Sequence, residues 1–354
     1  MLNKYMAAVY LEDELQMGEL TKIRNIGSIP IGGRYRVIDF ALSNLINSGV
    51  KNIGIFSSEE VGPSLRDHIG GGEHWDLDRK KDGIFFFNAS FSEGKMADIK
   101  IFERNLEYFL KSTQEHIIVL NPNVICNIDL KIPLEEYEKK EIDILVLTKK
   151  DKLGELKEKE NKYLDIFIMK KNLFLKMLIE RIQNGTYLGV RSEIFKNLKK
   201  YKVETWEFDG YVKNINSIKN YYKFNMDILN KDIRKEIFCG ERKIYTKVKD
   251  TPSTNYGENS QVINSLIANG CNIQGEIKNS ILGRRVTVEK GAKVENAIIF
   301  QDCIIKKDAK LKNIILDKNN LVEEKEEIIG VENSPLVIGK NFYGYLEKIK
   351  KFLD

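Results

Sequence analysis

The chain has 354 residues, 42% of them hydrophobic and 31% charged, and its 57 basic and 52 acidic side chains leave a net charge of only +5. A chain this long holds roughly two domains of ordinary size, and so even a charge balance argues against a nucleic-acid partner. The longest apolar run near the start, Met6 to Leu11, ends at Glu12; neither a signal peptide nor a membrane span fits it, so the expectation is a cytoplasmic protein with no membrane partner.

Up to about Asn230, short apolar runs alternate with helical patterns. "NIGIFSS" (Asn52 to Ser58), "HIIVLN" (His116 to Asn121) and "DILVLT" (Asp143 to Thr148) have strand length and continuous apolarity, as expected of strands covered on both faces. The phenylalanines Phe85 to Phe87 read as another buried strand. Asp39 to Ile46, and Ile99, Phe102, Leu106 and Phe109/Leu110, show helical spacing. This alternation predicts an α/β domain with a mostly parallel sheet over residues 1–240. "RDHIGGGEHWDLD" (Arg66 to Asp78) brings His68, His74, Asp76 and Asp78 together, but three glycines between the histidines predict a flexible loop rather than a metal site.

Residues 241–260, ending in "KDTPSTNYGENS", read as a linker, and beyond them a repeat begins. "NSLI" (Asn264 to Ile267), "NSIL" (Asn279 to Leu282), "NAII" (Asn296 to Ile299) and "NIIL" (Asn313 to Leu316) are versions of one phrase, the last three stepping by 17 residues. Apolar residues recur within each step every five or six positions, the hexapeptide rhythm of a parallel β-helix whose corners suit asparagine. This domain is expected over 261–354, closed by a helix carrying Phe342, Tyr345/Leu346, Ile349 and Phe352/Leu353. The three histidines, His68, His74 and His116, all precede the repeat; acyl transfer, which needs a histidine base, is therefore not expected, and the β-helix reads as an assembly and regulatory platform. Cys126, Cys239, Cys271 and Cys303 lie too far apart for a zinc ribbon or disulfide framework.

The stretch "ELTKIRNIGSIPIGGRYRVIDFALSNLINSG" (Glu19 to Gly49) carries the most specific signal. Leu20, Thr21, Arg24, Gly32, Gly33, Arg36, Ile38 to Phe40, Leu42 to Asn44 and Asn47 to Gly49 match one pattern. With that pattern the chain resembles the sugar-nucleotide pyrophosphorylases, specifically the bacterial glucose-1-phosphate adenylyltransferases (ADP-glucose pyrophosphorylases) of glycogen biosynthesis. The resemblance implies a Rossmann-like nucleotidyltransferase domain followed by a left-handed β-helix. It also implies a reaction of ATP with glucose 1-phosphate in the presence of magnesium. Such chemistry needs a close-fitting phosphate loop, cations at the phosphates and carboxylates for the metal.

The positions the resemblance supplies have changed here. Its glycine loop falls on "YLEDELQM" (Tyr10 to Met17), which has no glycine and has Gln16 where the relatives place an arginine. Glu12, Asp13 and Glu14 would repel a triphosphate: two like charges about 4 Å apart cost roughly 4 kcal/mol at an effective dielectric near 20, about three decades of affinity. The relatives' lysine falls on Ile26, and their two metal-binding aspartates fall on Asn123 and Asn214. Asp98 and Asp129 are carboxylates without an assignable role.

This concerted loss resembles the regulatory, D-type branch of the family, as does "WDLDRKKDG" (Trp75 to Gly83). The resemblance then implies no catalytic residues and no metal in this chain, with Mg2+ and ATP held only by a catalytic paralogue, its partner in a hetero-tetramer. Arg24, Arg34 and Arg36, joined by Arg284 or Arg285 from the β-helix, could hold a phosphorylated metabolite or sulfate effector by charge-assisted hydrogen bonds. The alternative for these arginines is a Gly-Gly turn with ordinary ion pairs to acids such as Asp39. Two rival functions stay open: a weakly active glucose-1-phosphate adenylyltransferase, and a self-assembling scaffold.

Overall fold

The computed structural model describes residues 4–11, 17–57, 63–78, 82–88, 98–150, 163–184, 191–192 and 200–344. Seven strands form the first sheet: β1 (Tyr5–Leu11), β2 (Asn52–Ser57), β3 (Gly83–Asn88), β4 (His116–Leu120), β5 (Ile144–Lys149), β6 (Tyr163–Lys170) and β7 (Val203–Phe208). Their order is β7-β5-β6-β4-β1-β2-β3. Every pairing is parallel except those of β6, which runs antiparallel to both β4 and β5.

Strand β1 shows why these sequences fold so. Its seven residues are all buried, and its alternating side chains enter different cores. Tyr5, Ala7, Val9 and Leu11 join one cluster with the helix Val37–Asn47, while Met6, Ala8 and Tyr10 join another, built on Phe56, Phe102, Phe109 and Phe174. Period-two alternation between two helical layers is what a central parallel strand requires.

Strand β3 departs from the expectation of burial. It is the edge of the sheet, so Phe85 stands in solvent, whereas Phe87 stacks on Phe56 at 4.7 Å and Phe86 lies under Arg66. Nor is Arg66 to Asp78 simply a loop: the helix Pro63–Ile69 runs into it, and a 3-10 turn, Glu73–Trp75, packs the indole of Trp75 into the core.

The second domain is a parallel β-helix of three faces. On one, Asn272–Ile273 follows Asn255–Tyr256 and is followed by Thr287–Val288, Ile304–Ile305 and Leu321–Val322. The other two align Ile277 with Val294, Leu311 and Ile328, and Ile281 with Ile298 and Ile315. Its first coil thus begins at Asn255, inside the stretch that composition marks as linker. Corners are turned by left-handed residues stacked coil on coil: Asn264, Asn279, Asn296 and Asn313 at one, Arg285, Asp302 and Asn319 at another, Gly291, Asp308 and Lys325 at the third. Of the expected closing helix, positions 345–354 lie outside the described residues.

The two domains share a core. Ile26, Ile29, Ile31, Phe40, Tyr221 and Phe224 from the first pack with Ile281, Ile298, Phe300 and Ile315 from the β-helix. Among the described residues, no helix is long and apolar enough to cross a membrane.

Candidate functional site

Two places collect the residues singled out by sequence. The first lies beyond the carboxyl end of β4. Two short strands, Val124–Ile125 and Lys213–Asn214, pair antiparallel there, setting Asn214 opposite Val124, while the N–H of Ile215 donates to the carbonyl of Asn123 at 2.8 Å. Asn123 and Asn214, 91 positions apart in sequence, therefore become neighbours along the backbone. Both carry a buried amide atom without a hydrogen-bond partner, Nδ2 of Asn123 and Oδ1 of Asn214.

The pair offers neutral amides and no carboxylate. Asp165, whose carbonyl accepts from the N–H of Asn121, has its carboxylate 3.3 Å from Arg191 Nε, and Asp129 accepts the N–H of Lys131. Among the described residues, no three histidine, cysteine, aspartate or glutamate side chains converge as a metal site. Ile26 is 2% exposed, in a 3-10 turn capped by the side chain of Asn25, and belongs to the shared core. Gln16 and the acids Glu12 to Glu14 lie outside the described residues.

The second place is the cleft between the domains, whose cavity is small, about 40 Å³. Arg34, Arg36 and Arg284 line it, as do three cations that sequence reasoning did not single out: Lys247, Lys249 and Lys318. Lys247 and Lys249 belong to the expected linker. That segment is strapped down instead, with Tyr245 N–H donating to Ser43 Oγ and Lys247 Nζ donating to the carbonyl and carboxylate of Asp67. Lys318 follows the last repeat phrase, Asn313 to Leu316, after Asp317 and just before the left-handed corner residue Asn319.

The acids around this cleft already have partners. Asp39, fully buried at the start of the helix Val37–Asn47, accepts the backbone N–H of Arg36 with one oxygen (2.9 Å) and meets His68 Nε2 with the other (2.7 Å). So the expected Arg36–Asp39 contact is a helix-capping one made by backbone, and the guanidinium is left for the cleft. Its Nη2 donates to Ser64 Oγ at 3.1 Å, and its Nη1 is buried without a partner. Burial holds the Arg36 guanidinium down at about 10, despite Asp39, and holds His68 below its ordinary value against the same carboxylate. Burial also lowers Arg284, helped by repulsion from Arg34 and Arg285.

The remaining arginines differ in use. Arg24 is committed to Asp317 of the β-helix, Nη2 to Oδ2 2.8 Å. Arg34 is exposed, its guanidinium 5.4 Å from the ring centre of Tyr35. Arg285 turns away to fork onto Asp302 of the next coil at 2.7 and 2.8 Å. The structure thus brings Arg34, Arg36 and Arg284 to one cleft, with Arg24 bracing its wall and Arg285 bracing the coil.

Comparisons with known proteins agree with this architecture. Residues 16–156 match the nucleotidyl transferase family and residues 250–335 the GlmU-like C-terminal hexapeptide family. The glucose-1-phosphate adenylyltransferase of Thermosipho africanus is 28% identical over 79% of this chain and 75% of its own. The glycogen biosynthesis protein GlgD of Geobacillus stearothermophilus is 34% identical, covering 83% and 82% of the two chains. That of Bacillus subtilis is 36% identical over 96% of this chain and 97% of its own. With that likeness running through both domains, the chain belongs to the GlgD glycogen biosynthesis protein family.

Proposed function

We propose that this chain serves glycogen biosynthesis as a catalytically silent regulatory subunit. It pairs with a catalytic glucose-1-phosphate adenylyltransferase paralogue in a hetero-tetramer, and it responds to an anionic metabolite held in the interdomain cleft. One observation carries the reading: Asn123 and Asn214 lie side by side on the backbone where the strands Val124–Ile125 and Lys213–Asn214 pair, each a neutral amide with one buried atom lacking a partner, where adenylyl transfer calls for carboxylates. Magnesium depends on one or two carboxylates besides the substrate phosphates. A neutral pair does not fit that ion, so ATP and magnesium are assigned to the catalytic partner. The cleft supports the regulatory half of the reading, because its cations outnumber their acidic partners and Arg36, one of its lining residues, carries a buried N–H without a partner.

The test is an assay of the purified chain with ATP, magnesium and glucose 1-phosphate, alone and after co-expression with the paralogue. Alone, no ADP-glucose should form; together, the two should co-elute and the partner's response to phosphorylated metabolites should change. Turnover by the isolated chain within about a hundredfold of a median enzyme, near 10 per second, would establish the weak-enzyme reading instead.

A further inference from the structure

The cleft has more cations than acids to neutralise them, and Lys318 sits where the excess is sharpest. Arg36 at the start of the helix Val37–Asn47 and Arg24 from the preceding segment both bear on it, and Lys340 adds a third positive charge from the last coil. Against them stands Asp317, which is already engaged by the Arg24 guanidinium and by the backbone N–H of Lys318. Further round the cleft, Arg284 and Lys249 add positive charge, Asp67 is paired with Lys247, and Asp39 is paired with His68. A half-buried ammonium among like charges is disfavoured against the neutral amine until a counter-ion arrives.

We propose that an anion enters this cleft together with a proton, which Lys318 takes up, so that occupancy of the interdomain site is coupled to pH on its alkaline side. The inference rests on the reading of the cleft as an effector site. The chemistry is one protonation: solvent or buffer gives up a proton, an N–H bond forms at Lys318 Nζ, and the ammonium then donates to the ligand oxygens. Burial and repulsion from Arg36 and Arg24 push Lys318 down to about 8. Below that pH the ammonium is already present and affinity is flat; above it every bound anion must bring a proton, and affinity falls. The ligand class is a doubly charged oxyanion, since two cations beside one site are best met by two negative charges.

The probe is inorganic sulfate, whose own charge does not change in this range. It is titrated calorimetrically into the full chain at pH 6.5 and 8.5, in buffers of differing ionisation heat. We expect negligible proton uptake at pH 6.5, roughly 0.75 proton at pH 8.5, and about fourfold weaker binding at the higher pH. Lys318→Arg, always charged, should bind sulfate equally at both pH values with no uptake. Lys249, which lines the same cleft, is also held down by burial, and His68, another lining residue, is held down by burial as well. Uptake that persists in Lys318→Arg, or sulfate binding at pH 8.5 without uptake, overturns the proposal and leaves the effector reading standing. Absence of sulfate binding at either pH removes both.

Discussion

Asp317 is fully buried and Arg24 only 8% exposed, and their contact joins residues 293 positions apart across the two domains. Each charge makes the other's burial tolerable; removing one strands its partner, a loss of about 3–5 kcal/mol, whereas removing both for apolar groups costs far less. Asp317→Leu and Arg24→Met should each lower stability by roughly that amount in urea titration, and the double variant should recover most of it. Equal, additive losses would show that the two residues act separately. Arg24, Arg34 and Arg36 were legible in the sequence because they sit in one dense motif. What each one does was not, because the partners that decide it, Asp317 for Arg24 and Ser64 for Arg36, lie outside the motif. Asn123 and Asn214 were nameable singly, but only the pairing of two short strands makes them neighbours.

The β-helix was the most legible element. Its inward residues repeat at fixed steps, and each coil buries the same positions against the last, so sequence periodicity and packing are one fact seen twice. The corners show why asparagine recurs: Asn279, Asn296 and Asn313 have φ of 48°, 48° and 53°, where a side chain branched at Cβ is strained. Asn296 also donates to Asn313 Oδ1 at 3.1 Å, tying one coil to the next. Stability should therefore rank Asn296 first, Asn296→Gly next and Asn296→Val last, with valine about 1–2 kcal/mol below the wild type, read by thermal unfolding. Valine matching glycine would mean that the corner does not hold that conformation. Strand β3 was less legible, because a run of phenylalanines looks alike whether it lies at the centre of a sheet or at its edge. The segment 241–254 misled in the opposite sense: a polar composition marks exposure, and says nothing of the cleft that Lys247 and Lys249 come to line.

At the scale of the molecule, the cleft exists because the turn Pro30 to Arg36 is pressed against the β-helix. Tyr221 Oη donates to the carbonyl of Pro30 at 2.6 Å, and the N–H of Gly32 donates to Asn225 Oδ1 at 3.0 Å, fixing the turn to the helix Ile218–Asp227. Gly33 then touches the coil: with φ at +79°, a Cβ there would stand 3.1 Å from the carbonyl oxygen of Leu282 and 3.5 Å from Ile281 Cγ2. Gly33→Ala must strain its own backbone and also shift the turn against the β-helix by a few tenths of an ångström, disturbing the placement of Arg34 and Arg36 against Arg284. Gly70 is the natural control, since its φ is +57° but a Cβ there meets nothing within 4 Å. Both substitutions pay a backbone penalty of about 1–2 kcal/mol, and only the first disturbs the seam between domains. Sulfate affinity at pH 6.5 should therefore fall at least about tenfold, or 1.4 kcal/mol, in Gly33→Ala and stay unchanged in Gly70→Ala. If both variants bind sulfate as the wild type does, the anion is held by one domain alone, and the close approach of Gly33 to Leu282 serves packing rather than the cleft.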